Sequence, residues 1–118
     1  VYVIRDQYGQ ADPYSQGSLI MPDGSIITLK RDDYNIDVLK YWRSPASGAE
    51  YPSAWAITIP SRDIQLSVTP LIPNQELSVS FTYWEGAVEV SGAVNGKAIR
   101  GTGYVEMTGY AHSMQGEF

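Results

Sequence analysis

Apolar and polar residues alternate along most of the chain with a period of two, the pattern of β-strands that bury one face. The alternation is clearest in four segments, residues 55–59, 64–68, 77–83 and 84–90. Residues 1–8 are predicted to form the first strand and residues 97–110 the last. Eight or nine short strands with little helix indicate an all-β sandwich or a closed antiparallel barrel. We favour the barrel, because closure removes strand edges that invite aggregation.

Two turn signals divide these strands. Pro22-Asp23-Gly24 predicts a hairpin, and Asn95-Gly96 is the strongest two-residue hairpin turn in the chain. Residues 32–42 are ambiguous, because Asp32 or Asp33 could cap a short helix whereas the alternation within the segment fits a strand equally well. We predict a strand there.

A type I′ turn at Asn95-Gly96 would set the register of the last hairpin. Glu85 then lies directly opposite Glu106, with Tyr104 on the same face, and polar and apolar residues sort onto opposite faces. The two carboxylates would have Cβ atoms roughly 5 Å apart. In an enclosed cavity one of them should hold its proton near neutral pH, giving an acid–base set with Tyr104. On a solvated face the pair is only a mild local cost.

The apolar residues change phase between Tyr83 and Trp84, and two interpretations follow. A β-bulge near Gly86 would restore one continuous apolar interior. Alternatively the strand stays regular, and Glu85 and Glu89 point into the barrel on the side of Tyr83. The interior would then suit an apolar ligand with one polar end. Glycines 86, 101 and 103 share one face of the hairpin, where packing against Trp84 is expected.

Composition excludes several classes of function. The 118 residues fit one domain, and 43% apolar content is typical of a globular chain. The net charge is −5 and the eight basic residues are scattered, so neither nucleic acid nor an anionic membrane surface is an expected partner. No apolar run approaches the ~20 residues that span a bilayer. With no cysteine and a single histidine, His112, we predict no metal site and no cofactor. The spacing of Asp6, Gly9 and Asp12 is too sparse for a calcium loop.

Several motifs resemble the C-terminal signature of the AttH-type, carotenoid 1,2-hydratase-like family of lipocalin-like proteins. The signature is carried by Tyr83-Trp84-Glu85-Gly86-Ala87-Val88 and Gly101-Thr102-Gly103-Tyr104-Val105-Glu106-Met107-Thr108-Gly109-Tyr110-Ala111. Three further stretches also resemble the family's pattern: Tyr41-Trp42-Arg43-Ser44-Pro45, Gly48-Ala49-Glu50-Tyr51-Pro52, and Trp55 with Ile59-Pro60. The resemblance implies a lipocalin-like, up-and-down β-barrel of about eight or nine strands spanning residues 1–118. It also implies that this barrel is the second of two, so that the N-terminal barrel of the same protein is a partner. Members are often exported by bacteria, which implies a periplasmic or secreted location, although these residues contain no signal peptide.

The hydratases of this family add water to an isolated C=C bond without a cofactor. The acid–base set of the hairpin register has the residue types that such chemistry needs, so the catalytic candidates are Glu85, Glu106 and Tyr104. The candidate ligand contacts are Trp84, Tyr83, Glu89, Arg100, Trp42 and Trp55. Three functions compete: a barrel that binds an apolar, isoprenoid-like or lipid-like molecule, which we place first; a hydratase or isomerase; and a structural half that supports a partner barrel. An open apolar interior favours the first, inward carboxylates the second, and an interior plugged by large side chains the third.

Overall fold

The computed structural model describes residues 1, 3–5 and 10–111. Alternating sequence forms strands throughout, and the only helical elements described are 3-10 turns at Arg31–Asp33 and Pro60–Arg62. The strands are β1 (Gln16–Ile20), β2 (Ile26–Lys30), β3 (Asn35–Arg43), β4 (Glu50–Ile59), β5 (Ile64–Pro70), β6 (Glu76–Ser78), β7 (Thr82–Val94) and β8 (Lys97–Met107). The all-β prediction is confirmed, and the ambiguous segment is a strand from Asn35 onward, while Asp32 and Asp33 lie in a 3-10 turn.

The strands form two antiparallel sheets. β1 pairs with β2 alone, while the larger sheet runs β3-β4-β5-β7-β8, with β6 on the side of β7 that also carries β5. Over residues 10–111 the larger sheet does not close into a ring, and β3 and β8 remain its edges. The β1–β2 hairpin packs Leu29 with Tyr34, Ile59 and Ile64 through side chains and adds no strand to that sheet. In the predicted first strand, the described residues make only a single bridge, from Arg5 to Ala11.

Both predicted hairpin turns are present. Gly24 has φ 86° and its N–H donates to the Met21 carbonyl at 2.9 Å. Asn95 and Gly96 have φ 51° and 74°, the left-handed pair that a type I′ turn requires. β7 and β8 consequently pair without interruption from Trp84 with Met107 to Val94 with Lys97.

The phase change at Tyr83 has a different cause from either interpretation. β6 and β7 form a tight hairpin that reverses at residues 79–81, so Leu77 lies directly opposite Tyr83. The β-bulge near Gly86 is wrong, because the β7–β8 register is regular there. The regular strand does place Glu85 on the side of Tyr83, but that side is the outside of the sheet.

Large side chains fill the space beneath the inner face of the sheet. Trp84 and Tyr51 are each 1% exposed and Val88 is 2% exposed. Trp55 and Met107 join them in one continuous cluster. The core therefore lies where a lipocalin-like barrel would hold a ligand.

Candidate functional site

The predicted carboxylate pair lies on the outer face of the β7–β8 hairpin. Glu85 is directly opposite Glu106, so the predicted register is confirmed. Side chains alternate along a strand, and the buried residue next to Glu85 is Trp84. Glu106 is exposed and Tyr104 is 66% exposed. The structure therefore corresponds to the solvated-face alternative and not to the one in which Glu85 and Glu89 point into the interior, because the opposite set of alternating residues is buried.

Four of the candidate residues do come together on this outer face. We call Tyr83, Glu85, Tyr104 and Glu106 the outer cluster. Desolvation, followed by the negative charge of Glu85, raises the pKa of both phenols, so they stay protonated over the neutral range. The ring of Tyr83 packs on Phe81, with centroids 5.2 Å apart. The arrangement offers two phenol donors and two carboxylates to whatever contacts this face.

The other candidate ligand contacts do not join the outer cluster. Trp84 and Trp55 are buried in the core, and Trp42 is half-buried with its ring stacked on Tyr51 at 6.2 Å. Glu89 and Arg100 are exposed on the outer face, nearer the turn. The carboxylates and the tryptophans are thus on opposite sides of the sheet.

A third carboxylate, Glu76, lies in a hydrogen-bonded polar site that the sequence analysis did not predict. Its two oxygens accept hydrogen bonds from Ser44 Oγ at 2.6 Å, Ser47 Oγ at 2.6 Å and Tyr51 OH at 2.7 Å. Burial alone would raise the pKa of Glu76, but the three hydroxyl donors outweigh it and the pKa is lowered. Burial and the neighbouring Glu76 raise the pKa of Tyr51. The group is therefore an ionised carboxylate held by neutral hydroxyls.

The turn between β3 and β4 carries two of these donors, Ser44 and Ser47, and orients the Ser44 hydroxyl. Ser44 Oγ accepts hydrogen bonds from the N–H groups of Ala46 and Ser47 at 3.2 and 3.1 Å, which leaves its own proton for Glu76. Beside it, Arg43 and Glu50 form an ion pair at 2.7 Å. The Arg43-Ser44-Pro45 motif is the signal that could have indicated this site, but its acceptor lies 32 residues away in sequence.

Trp84 and Gly86 contact the segment that precedes β6, at Pro73 and Gln75. Trp84 Nε1 donates to the carbonyl of Pro73 at 2.8 Å. The amide of Gln75 lies over Gly86, accepting from Ala87 N at 3.0 Å and donating to Ala87 O at 3.1 Å. A Cβ at position 86 would collide with that amide. These two motif residues therefore have structural roles in this domain.

Two open surface depressions, of about 390 and 430 Å³, occur in the described residues. No candidate residue lines either one. The larger is lined mainly by polar residues at the start of the chain and of β3, such as Gln10, Ser15, Arg31 and Asn35. No group of three metal-ligating side chains exists among the described residues, and His112, Asp6 and Gly9 lie outside them. No helix of residues 10–111 is long and apolar enough to cross a membrane.

Comparisons with known proteins agree with this architecture. A crystal structure of an AttH protein from Nitrosomonas europaea superimposes with a TM-score of 0.76 at 28% identity, covering 92% of this chain and 33% of that one. Kievitone hydratase from Nectria haematococca superimposes with a TM-score of 0.70 at 19% identity, covering 89% of this chain and 32% of that one. The chain thus spans about a third of the length of these structures. No curated protein sequence matches it. The AttH-like family profile matches residues 1–110, and the chain belongs to the AttH-like family.

Proposed function

We propose that this chain is a filled β-domain that supports a partner barrel within a longer AttH-like protein. The observation that carries the proposal is the interior, where Trp84, Tyr51 and Val88 occupy the space that a ligand would need. Ligand pockets enclose about 300–1,000 Å³ and bury most of the ligand. An isoprenoid-like molecule would have to displace a tryptophan that is hydrogen-bonded to Pro73.

The outer face offers a surface for the partner. Leu77 and Val79, on and just after β6, are exposed, and Leu77 lies directly opposite Tyr83. Apolar side chains grouped on a surface and rimmed by charge are typical of contact sites. The matched structures are longer than this chain, and we propose that the partner barrel corresponds to the part of them that this chain does not cover. A closed lipocalin-like barrel and a periplasmic or secreted location belong to the same proposal, and both rest on the family resemblance.

Retinol titration of the isolated chain tests the proposal. Retinol is an apolar isoprenoid that absorbs tryptophan emission, so saturable quenching of Trp84 and Trp55 would report binding inside the domain. We expect no saturable quenching, with a known retinol-binding lipocalin as the assay control. A stoichiometric complex with the isolated chain would contradict the proposal and restore the ligand-barrel hypothesis.

A second candidate function is hydratase chemistry at the outer cluster. The two carboxylates and two phenols of that cluster lie together, and one structural neighbour is named a hydratase. A protonated carboxyl would give its proton to one alkene carbon, water would add to the resulting cation, and the second carboxylate would take the proton that water releases. This chemistry needs a dry site, so a partner would have to cover the face.

The test of the second candidate is the substitution Glu85→Gln in the full-length protein. If the outer cluster is the acid–base set, the pH profile of hydration or of ligand affinity shifts, while Glu89→Gln on the same face leaves the profile unchanged. An identical profile in Glu85→Gln would remove the carboxylate pair from the mechanism.

A further inference from the structure

The outer edge of β8 carries a long row of unpaired backbone groups. Among the described residues, no strand pairs with β8 on the side away from β7. The Glu85 N–H and the Ala87 carbonyl bond toward Gln75 and Leu71, away from β8. In an antiparallel ladder, a residue paired with one whose N–H and C=O point away from it also points its own N–H and C=O away. The partners of Glu85 and Ala87 on β8, and every second residue along β8 from them, therefore direct these groups to the open edge of β8. On β8 these residues are Ala98, Arg100, Thr102, Tyr104 and Glu106.

We propose that β8 pairs antiparallel with the β8 of a second copy of this chain, about a two-fold axis at Gly103. The register places Arg100 of each copy opposite Glu106 of the other, and Thr102 opposite Tyr104. All four residues direct backbone groups to the edge, so these pairs are hydrogen-bonded pairs of the ladder. This inference goes beyond the supporting role proposed above and does not depend on it.

Charge complementarity selects this register. Arg100 and Glu106 both project from the outer face, and neither has an ion-pair partner in the part of the chain that the structure describes. The two-fold axis makes the Arg100–Glu106 pair twice, and it brings a positive charge beside the repelling carboxylates of Glu85 and Glu106. A slip of two residues in either direction sets Arg100 opposite Tyr104 or Thr108 and loses both pairs.

The inner face of β8 fits the same register. Gly103 would meet its own copy at a non-hydrogen-bonded position, where Cα atoms approach to about 4.5 Å. A Cβ at Gly101 would meet nothing within 4 Å, and this open position would receive Val105 of the second copy. Ile99 would lie opposite Met107, which extends the apolar cluster across the junction. Glycine is thus placed where the two backbones and a branched side chain need room.

Sedimentation velocity of the 118-residue chain over a range of concentrations tests the proposal. We expect a reversible dimer. Arg100→Glu and Glu106→Arg should each raise the dimer dissociation constant about tenfold or more, because each change creates two repelling pairs. The double variant Arg100→Glu/Glu106→Arg should return to within a few-fold of the parent. Arg62→Glu reverses the same charge in an exposed turn and should leave the constant unchanged.

Thr102→Pro provides a backbone test. Its N–H faces the open edge, so proline removes an edge donor without removing a β7–β8 hydrogen bond. We expect a folded monomer, checked by circular dichroism. A monomeric parent chain, a double variant that does not recover, or a dimer that survives Thr102→Pro would each overturn the proposal. A monomer whose β8 amides resist hydrogen exchange would assign the edge to another segment.

Discussion

The two faces of the β7–β8 hairpin use alternate residues of the same motif for opposite purposes. On the inner face, Trp84 and Val88 are almost completely buried. On the outer face, one residue away along the strand, Glu85 faces Glu106 beside two phenols. Residues that are adjacent in a motif therefore need not share a site, and the buried half of this motif is explained by packing alone.

The carboxylates sharpen this contrast. Glu76 lies opposite Trp84 in the β6–β7 ladder and is the carboxylate on the inner side, where three hydroxyls donate to it. On the outer face, the phenols of Tyr83 and Tyr104 hydrogen-bond to Glu85, which is half-buried, while Glu106 is exposed. Three hydroxyl donors stabilise the ionised form of Glu76, whereas the opposed carboxylates on the outer face are only a mild local cost.

The largest difference between the faces is expected for truncation of aromatic residues. Trp84→Ala should lower the free energy of unfolding by about 3–5 kcal/mol, because it opens a cavity and leaves the Pro73 carbonyl without its donor. Tyr104→Ala, on the exposed face, should change it little. Urea unfolding followed by far-ultraviolet circular dichroism measures both. Equal losses in the two variants would refute the assignment of faces.

The register of this hairpin could be predicted from the sequence, but its orientation could not. Asn95-Gly96 and the alternation determine that Glu85 faces Glu106, since both are local signals. Which face is buried depends on packing against residues far away in sequence, such as Tyr51 and Trp55 of β4. The reversal at residues 79–81 carries no Gly, Pro, Asn or Asp, so the sequence contains no local signal that a turn causes the phase change.

The Glu76 site was unpredictable for a related reason. Its donors come from the β3–β4 turn and from β4, and the closest of them in sequence, Tyr51 on β4, is 25 residues away. Alternation alone indicates on which face of its strand Glu76 or Trp84 lies. No local pattern indicates that Ser44 and Ser47 contact the Glu76 carboxylate. Long-range contacts of this kind are set by the whole sheet and not by any single segment.

Glycine substitution gives the next largest expected difference. Gly86→Ala should lower the free energy of unfolding by about 1–3 kcal/mol, because the added Cβ displaces the Gln75 amide from its bonds to Ala87. Gly101→Ala, on the same face but in space that is open within one chain, should be neutral or slightly stabilising when both variants are measured at concentrations where the chain is monomeric. In the background of Gln75→Ala, the Gly86→Ala loss should largely disappear. Additive losses would place the collision elsewhere.

Glu76→Gln should have a smaller effect, about 1 kcal/mol for a half-exposed carboxylate that solvent partly screens. The pKa of Glu76 is lower in the folded chain than its ordinary 4.5. Its contribution is therefore fully present above pH 4.5 and is lost as the pH falls through the lower native value. The stability difference between the parent and Glu76→Gln should shrink only in that acidic range. Glu89→Gln, an exposed control, should show no such pH dependence.

Glu85→Gln should have the smallest effect on folding and a specific effect on titration. Removing one of two opposed carboxylates should stabilise the chain by up to about 0.5 kcal/mol. Desolvation is the main cause that raises the pKa of Tyr83 and Tyr104, and the charge of Glu85 is the next. The variant should therefore lower both pKa values part of the way toward 10, measured by NMR of the tyrosine rings, while Glu89→Gln leaves them unchanged. Unchanged tyrosine titrations in Glu85→Gln would show that the outer cluster is not electrostatically coupled, and catalysis there would lose its physical basis.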